Sequence, residues 1–211
     1  MVYYFTSDVT TPNGNIFMGK DKHENEDLIK HGIEEDVWFH VDKLSSAHIY
    51  LRLDGSYNWE NIPESLLEDL GQLTKANSIE GNKKDNITII YTPWSNLKKS
   101  GDMAVGQVSF HNPKIVKRVY VEKRKNHIIN RLNKTKREEY PDLYQEKMNY
   151  INKKNKKDKI NFERMEQVKI KREEYAKNQK ELKSYKSIFE DDTTEYRTNE
   201  DSNQDIDDDF M

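Results

Sequence analysis

Cysteine is absent from this chain of 211 residues, and its absence excludes several classes of protein. Without thiols there is no disulfide framework, no zinc site built on thiolates and no cysteine nucleophile. Long apolar runs are also missing: the longest are a few residues, whereas a membrane-spanning helix needs roughly 20. The first residues carry neither a basic stretch nor a long apolar one, so we expect no secretory signal and a location in the cytoplasm or the nucleus.

Glycine is scarce too, with 8 residues that lie apart from one another in the sequence. The glycine-rich loops that bind nucleotide phosphates are therefore missing, both the Walker A type and the dinucleotide type. The Gly-x-Ser-x-Gly elbow of serine hydrolases is missing as well. None of these enzyme classes is indicated, and we predict a protein without a catalytic residue and without a cofactor.

Charge, in contrast, is abundant and unevenly distributed. Charged residues make up 35% of the chain and the mean hydropathy is -1.08. Residues 1–113 carry a net charge of -7, residues 114–187 carry +13, and residues 188–211 carry -9, so the overall -3 conceals a basic arm followed by an acidic tail. This pattern is typical of proteins that use a basic segment to contact polyanions.

Short apolar segments with turn residues between them predict an α+β domain with a small, mostly antiparallel sheet covered by helices. We expect strands at 3–6, 16–18, 37–41, 49–53, 87–92, 105–110 and 115–121, and helices at 24–30 and 63–77. The last two strands are predicted to pair through the turn at 111–113.

The periodicity becomes helical after residue 121. An amphipathic helix with Ile128, Ile129 and Leu132 is predicted, then interrupted by Pro141, and a second helix is expected to run to about Lys186. The candidate coiled-coil seam of this second helix is nearly half polar, so we interpret it as a single charged helix. Its positions are Val168, Arg172, Tyr175, Gln179, Leu182, Lys186 and Phe189. The predicted organisation is a domain at 1–121, a charged helical arm at 122–187 and a disordered acidic tail at 188–211.

Residues 36–53 are the most informative segment, because they predict two strands with contrasting faces. Val37, Phe39 and Val41 fall on one face of the first strand, which we expect to be the core side. The opposite face carries aromatic, imidazole and guanidinium groups, namely Trp38, His40, His48, Tyr50 and Arg52. If this face is open, these groups suit stacking on bases and contact with phosphates. The alternative is that they pack under the C-terminal helix as ordinary core.

Further candidate contacts lie in the loops next to these strands and on the basic strand that follows. Their cations and hydroxyls suit phosphates, and the additional tryptophan suits stacking. They are Lys43, Ser45, Ser46, Trp94, Lys98, Lys99, Lys117 and Arg118.

Two chemical alternatives for the same segment are weaker. His40 and His48 face each other across the predicted strands, but only Asp36 and Asp42 are near enough in sequence to complete a metal site, so no metal is predicted. Ser45 and Ser46 between two histidines suggest a hydrolytic triad, but the pair is more typical of a turn.

The pattern Asp-x-Trp-x-His at 36–40, followed by Ser-x-His-x-x-x-Arg at 46–52, resembles the NFACT-R domain, the RNA-binding part of ribosome quality-control factors. Matching stretches also occur at 18–32, 75–78, 91–99, 105–108 and 209–211, and the whole chain is similar to the stand-alone coiled-coil domain-containing protein 25 family. The resemblance implies binding of transfer or ribosomal RNA and a link to ribosome-associated quality control. The larger relatives add C-terminal tails to stalled chains with domains that this chain is too short to contain, so that activity is not expected.

Two other functions stay open at this point. The basic arm fits DNA as well as RNA, and the long helix could recruit the ribosome or a protein partner with the small domain as a dock. Salt dependence distinguishes polyanion binding from an apolar dock, because only the former releases counterions.

Overall fold

The structure, a computed structural model, describes residues 1–55 and 57–195. Its strands are β1 (Val2–Ser7), β2 (Gly14–Gly19), β3 (Asp36–Val41), β4 (Ile49–Arg52), β5 (Ile87–Pro93), β6 (Leu97–Lys98), β7 (Ser109–Phe110), β8 (Lys117–Val121) and β9 (Arg137–Glu139). Its helices are α1 (Lys22–His31), α2 (Glu64–Ala76), α3 (Asn126–Lys134) and α4 (Leu143–Glu195). Seven strands form one sheet in the order β8-β5-β3-β4-β2-β1-β9, and every pair in it is antiparallel.

The first face of the sheet is the main core, as the alternation in β3 predicts. Val37, Phe39 and Val41 are buried there under α2 and α3. Pro63 precedes α2 and fits the start of a helix, where its missing N–H costs no hydrogen bond. Leu66, which follows at helical spacing with Leu70 and Leu73, is buried against the sheet. The predicted α+β class is confirmed.

The second face is covered as well, so the prediction of an open sheet face is wrong at its centre. Trp38 and Tyr50 are 2% and 1% exposed. Leu28 of α1, the β6–β7 hairpin and Leu143 at the start of α4 pack in the same cluster. The neighbouring strands explain this result, because they place Phe17 and Ile90 on the same face and make it apolar across several strands. The alternative that the two aromatics belong to the core is therefore the correct one.

The predicted pairing of the last two strands is also wrong. β7 is two residues long and pairs with β6, whereas β8 pairs with β5. Asn96 separates them by binding Asn112 twice: its Nδ2 donates to the Asn112 carbonyl at 3.0 Å and its Oδ1 accepts from the Asn112 N–H at 2.8 Å. The turn at 111–113 therefore connects β7 to a strand that pairs with β5, and it does not form a hairpin.

The helix predicted after residue 121 ends earlier than Pro141. Thr135 closes α3 by donating from Oγ1 to the Leu132 carbonyl at 2.7 Å, and its Oγ1 also accepts from the Thr6 N–H at 2.9 Å. This attachment to β1 starts β9, an edge strand that the sequence did not predict. Residues 1–152 form one compact unit, and the described residues from 153 onward belong to a second. The predicted domain boundary after residue 121 stays a prediction.

The long helix predicted for the arm is confirmed, and α4 continues to Glu195, beyond the expected end near Lys186. In its second-unit part Val168, Tyr175 and Leu182 of the candidate seam are exposed. Among the described residues no helix is both long and apolar enough to span a membrane. The prediction of disorder is wrong for residues 188–195, which belong to α4, and the rest of the predicted acidic tail, from 196 onward, lies outside the described residues.

Candidate nucleic-acid interface

Trp38 organises the two histidines of the predicted site. Its Nε1–H donates to Nδ1 of His48 at 2.7 Å, in a buried hydrogen bond. The ring of His40 stacks on Trp38, with centroids 5.4 Å apart and planes inclined by 4°. His40 and His48 meet edge to face at 5.0 Å. The three rings therefore form one packed group, in which Trp38 is the support and His40 is the partly exposed member.

Both imidazoles are neutral at physiological pH. Burial lowers the pKa of His48 to about 3, helped by the neighbouring His40, and burial also lowers the pKa of His40. Because Nδ1 of His48 accepts from Trp38, its proton is carried by Nε2, and a backbone hydrogen bond with Gly106 engages the ring further. The histidines therefore contribute shape and hydrogen bonding, not positive charge. No group of three residues able to hold a metal ion occurs in the described part of the chain.

The neutral state of His48 makes stability depend on pH. Below about pH 6.5 the unfolded chain binds a proton at His48, whereas the folded chain stays neutral there until about pH 3. Unfolding is therefore favoured as the pH falls through this window, and we expect a loss of about 2–3 kcal/mol from His48 between about pH 7 and about pH 4.5. Urea unfolding at both pH values measures it. His48→Gln keeps an acceptor for Trp38 and should flatten the dependence, whereas substitution of the exposed His127 should not.

The turn between β3 and β4 is fixed by hydrogen bonds that use one of its two serines. Ser46 Oγ accepts from the Val41 N–H at 3.1 Å and donates to the Ala47 carbonyl at 3.0 Å, so this hydroxyl is engaged within the turn. The Ser45 side chain is exposed, while its carbonyl accepts from Ser78 Oγ at 2.6 Å. Ser45 is therefore the serine whose hydroxyl faces solvent.

Residues 75–78 also fix the position of the turn between β3 and β4. The Ala47 N–H donates to the Asn77 carbonyl at 2.9 Å, next to the Ser78 contact. Lys75 is fully buried, and its ammonium donates to the carbonyls of Gly81 and Lys84, which closes the loop after α2. A buried lysine is stable only when its donors are satisfied, and here two carbonyls of the loop after α2 accept from it.

A second loop, at 100–107, is fixed by hydrogen bonds to Glu26 and Lys99. Glu26 accepts from Lys99 Nζ at 2.7 Å and from the Gly106 N–H at 2.5 Å. Lys99 also donates to the carbonyls of Ala104 and Gln107 at 2.8 and 2.9 Å. Lys99 was predicted to contact phosphates, but in this structure all of its donors are bound within the domain.

These elements enclose a pocket of about 320 Å³, here called the His40 pocket. His40 and His48 lie beside the turn residues 45–47, residues 19–22 and Asn25 at the start of α1, and the loop residues Val105 and Gly106. Four of the predicted contacts therefore meet in one cavity: His40, Ser45, Ser46 and His48.

Exposed cations line this pocket or lie on the elements near it. Lys20 and Lys22 line it, and Lys43 lies in the β3–β4 turn with a φ of 60°. Arg118 of β8 is paired with Ile90 of β5, and Ile90 is paired with His40 of β3. Paired residues share a face of the sheet, so Arg118 lies on the same face as His40, two strands away. Lys98 is exposed on β6, whose partner strand places Phe110 on Trp38. None of these five cations forms an ion pair with another residue in the part of the chain that the structure describes.

Three other predicted contacts lie elsewhere. Arg52 is at the far end of the β3–β4 pair, where Nε and Nη2 bind the buried Asp36 at 2.8 and 3.1 Å and Nη1 reaches Glu146 at 3.3 Å. Lys117 lies on the first face, over the ring of Trp59. Trp94 donates to the Ile29 carbonyl at 2.7 Å, and a Cβ on Gly32 would lie only 2.2 Å from its indole nitrogen. These side chains are engaged within the domain, and the structure does not bring them to the pocket.

Comparison with known proteins identifies the family. Residues 1–112 match the sequence model described as the NFACT protein RNA binding domain. The chain belongs to the NFACT-R family. A coiled-coil domain-containing protein 25 from Mus musculus is 48% identical over 212 residues, which cover 100% of both chains. The protein of the same description from Danio rerio is 61% identical over 147 residues, 70% of this chain and 71% of the relative. The homolog from Dictyostelium discoideum is 50% identical over 147 residues, 70% of each chain.

The NFACT-R match supports RNA binding in general, and it contains the whole His40 pocket together with Lys20, Lys22, Lys43 and Lys98. Residues that sequence reasoning did not assign to a site also line or flank the pocket. Lys20, Lys22 and Asn25 belong to the stretch 18–32 that carried the resemblance, so a signal for them was present. Tyr120, which is 63% exposed and on the same face as Arg118, gave no signal beyond strand alternation.

Proposed function

We propose that this NFACT-R chain binds transfer or ribosomal RNA on the second face of its sheet, around the His40 pocket, without catalysing a reaction. The observation that carries the proposal is a set of exposed cations without ion pairs in the described chain: Lys20 and Lys22 at the pocket, Arg118 on the same face, and Lys43 and Lys98 on neighbouring elements. Cations that lack an internal partner can neutralise phosphates at no cost in broken ion pairs. The proposed place of action is the cytoplasm or the nucleus, as part of ribosome-associated quality control.

Several cations elsewhere on the first unit are less suited to this role, because they already pair with carboxylates. Lys125 pairs with Glu68, and Arg131 pairs with Asp8 and Asp69. Lys84 binds Glu80 at 2.9 Å. A phosphate that binds there must displace a carboxylate, so those sites contribute less to RNA affinity.

The second unit adds a separate electrostatic contribution. Residues 153–183 of α4 contain 12 basic and 6 acidic side chains, and nearly all of them are exposed. Lysines on a helix contact phosphates without reading sequence. We therefore assign the general affinity for RNA to this segment and the preference for particular RNA features to the first unit.

Fluorescence anisotropy of the full chain across a salt series tests the proposal. Labelled transfer RNA, single-stranded RNA and duplex DNA of matched length are the probes. We expect RNA affinity to fall steeply with salt, with a slope that reports several neutralised phosphates, and RNA to bind more tightly than DNA. Tighter binding of DNA than of RNA would identify DNA as the ligand. An absence of salt-dependent binding would favour the alternative in which the long helix recruits a protein partner.

A further inference from the structure

We propose that the His40 pocket receives one unpaired nucleotide of the bound RNA, with the side-chain amide of Asn25 as a donor to the base. This inference rests on the proposed function and specifies what the first unit recognises. It starts from a polar group in the pocket wall that has no partner.

Asn25 is 5% exposed and lies in the first turn of α1, where it lines the pocket. Its Oδ1 accepts from the Tyr50 hydroxyl at 3.0 Å, which fixes the orientation of the amide. Its Nδ2 has no hydrogen-bond partner among the described residues. A buried donor without an acceptor costs free energy, so such a group in a native structure calls for a partner, which a water, an ion or a bound ligand can supply. Carbonyl oxygens and ring nitrogens of nucleobases are suitable acceptors.

The aromatic support fits a base better than it fits a phosphate alone. His40 stacks on Trp38 through one ring face and is partly exposed, so an inserted base would extend an existing stack of rings. Because His40 and His48 are neutral, neither ring contributes positive charge that would attract an anion. The volume of about 320 Å³ is at the small end of ligand pockets and is sufficient for one base.

The pocket mouth supplies the positive charge that a nucleotide needs. Lys20 and Lys22 are exposed there and lie on either side of Asp21. The Asp21 carboxylate is the N-cap of α1 and accepts from the backbone N–H groups of His23 and Glu24 at 2.9 and 3.0 Å. Its charge is therefore partly compensated, and the two ammonium groups are available for the phosphates that flank the inserted base.

The test compares a hairpin RNA whose loop carries bases with the same hairpin carrying an abasic loop, because the two probes have the same phosphates. Loops of A, C, G and U are measured separately by anisotropy with the full chain. We expect at least one base-bearing loop to bind about tenfold more tightly than the abasic loop.

Two variants locate the effect. Asn25→Asp keeps the acceptor for Tyr50 but removes the free donor, and Ser45→Leu narrows the pocket mouth at an exposed side chain with no hydrogen bond of its own within the described chain. Both should bind the two hairpins equally, Ser45→Leu at the affinity of wild type for the abasic loop and Asn25→Asp below it because of the added negative charge. Ser65→Leu, on the exposed surface of α2, is the matched control and should retain the preference.

Three outcomes would overturn the inference. If wild type binds both hairpins equally but with strong salt dependence, the pocket does not take a base and the proposed RNA binding stands. If wild type prefers bases and both pocket variants keep the full preference, the bases stack elsewhere. If neither hairpin binds, the proposed function fails together with the pocket. Thermal unfolding of each variant identifies loss of fold, and Ser45→Leu continues the test if Asn25→Asp does not fold.

Discussion

Trp38→Ala should lower the free energy of unfolding by about 3–5 kcal/mol. Trp38 is 2% exposed and contacts His40, His48 and Phe110, so its removal leaves a large cavity in the second core. The substitution also removes the donor to Nδ1 of His48 and leaves a buried acceptor unpaired. Urea unfolding monitored by circular dichroism at neutral pH measures the change.

Two substitutions separate the contributions to this effect. Trp38→Phe keeps an aromatic ring but not the N–H, and it should cost about 1–3 kcal/mol. Trp59→Ala removes a partly exposed ring that lies under Lys117, and it should cost clearly less than Trp38→Ala. A loss below about 1 kcal/mol for Trp38→Ala would mean that the second face is open in solution, as the sequence alone suggested.

Replacement of Lys153, Lys156 and Lys157 by glutamine should weaken RNA binding about tenfold at low salt and reduce the salt slope by about 2. These lysines are exposed on α4 and have no ion pair within the described chain. Each lost phosphate contact removes one site of counterion release, so the effect should shrink as salt is added. Anisotropy with single-stranded RNA over a salt series gives both quantities.

The matched control neutralises three lysines that already pair with carboxylates. Lys84, Lys125 and Lys136 pair with Glu80, Glu68 and Glu138. Their replacement by glutamine changes the net charge by the same amount, but we expect a much smaller change in RNA affinity. Equal losses in the two triple variants would show that only net charge matters and that α4 makes no direct contact with RNA.

The alternation in residues 36–53 was sufficient to predict the core face, because buried Val37 and Phe39 follow directly from the period of a strand. The alternation was not sufficient to predict whether the other face is buried. Whether Trp38 is exposed depends on Phe17, Ile90 and the β6–β7 hairpin, which are distant in sequence. Local patterning reports that two faces differ, but it does not report whether the second is covered by a long-range contact.

The candidate site shows the same limit. His40 and His48 could be selected from the sequence, since they are close neighbours in one hairpin. Gly106 could not, because the distant loop that carries it reaches the pocket through Glu26, which binds both the Gly106 N–H and Lys99. The engaged state of Lys99 and Arg52 was equally out of reach, since a cation in a sequence does not indicate whether a carboxylate will meet it.

The most direct test of the account is photochemical crosslinking of bound transfer RNA to the full chain, followed by mass spectrometry of the crosslinked peptides. We expect crosslinks at residues 20–25, 40–48 and 118–120 in the first unit, together with salt-sensitive crosslinks along 153–183. Crosslinks confined to the exposed surface of α2, or found only in α4, would contradict the assignment of RNA recognition to the second face of the sheet.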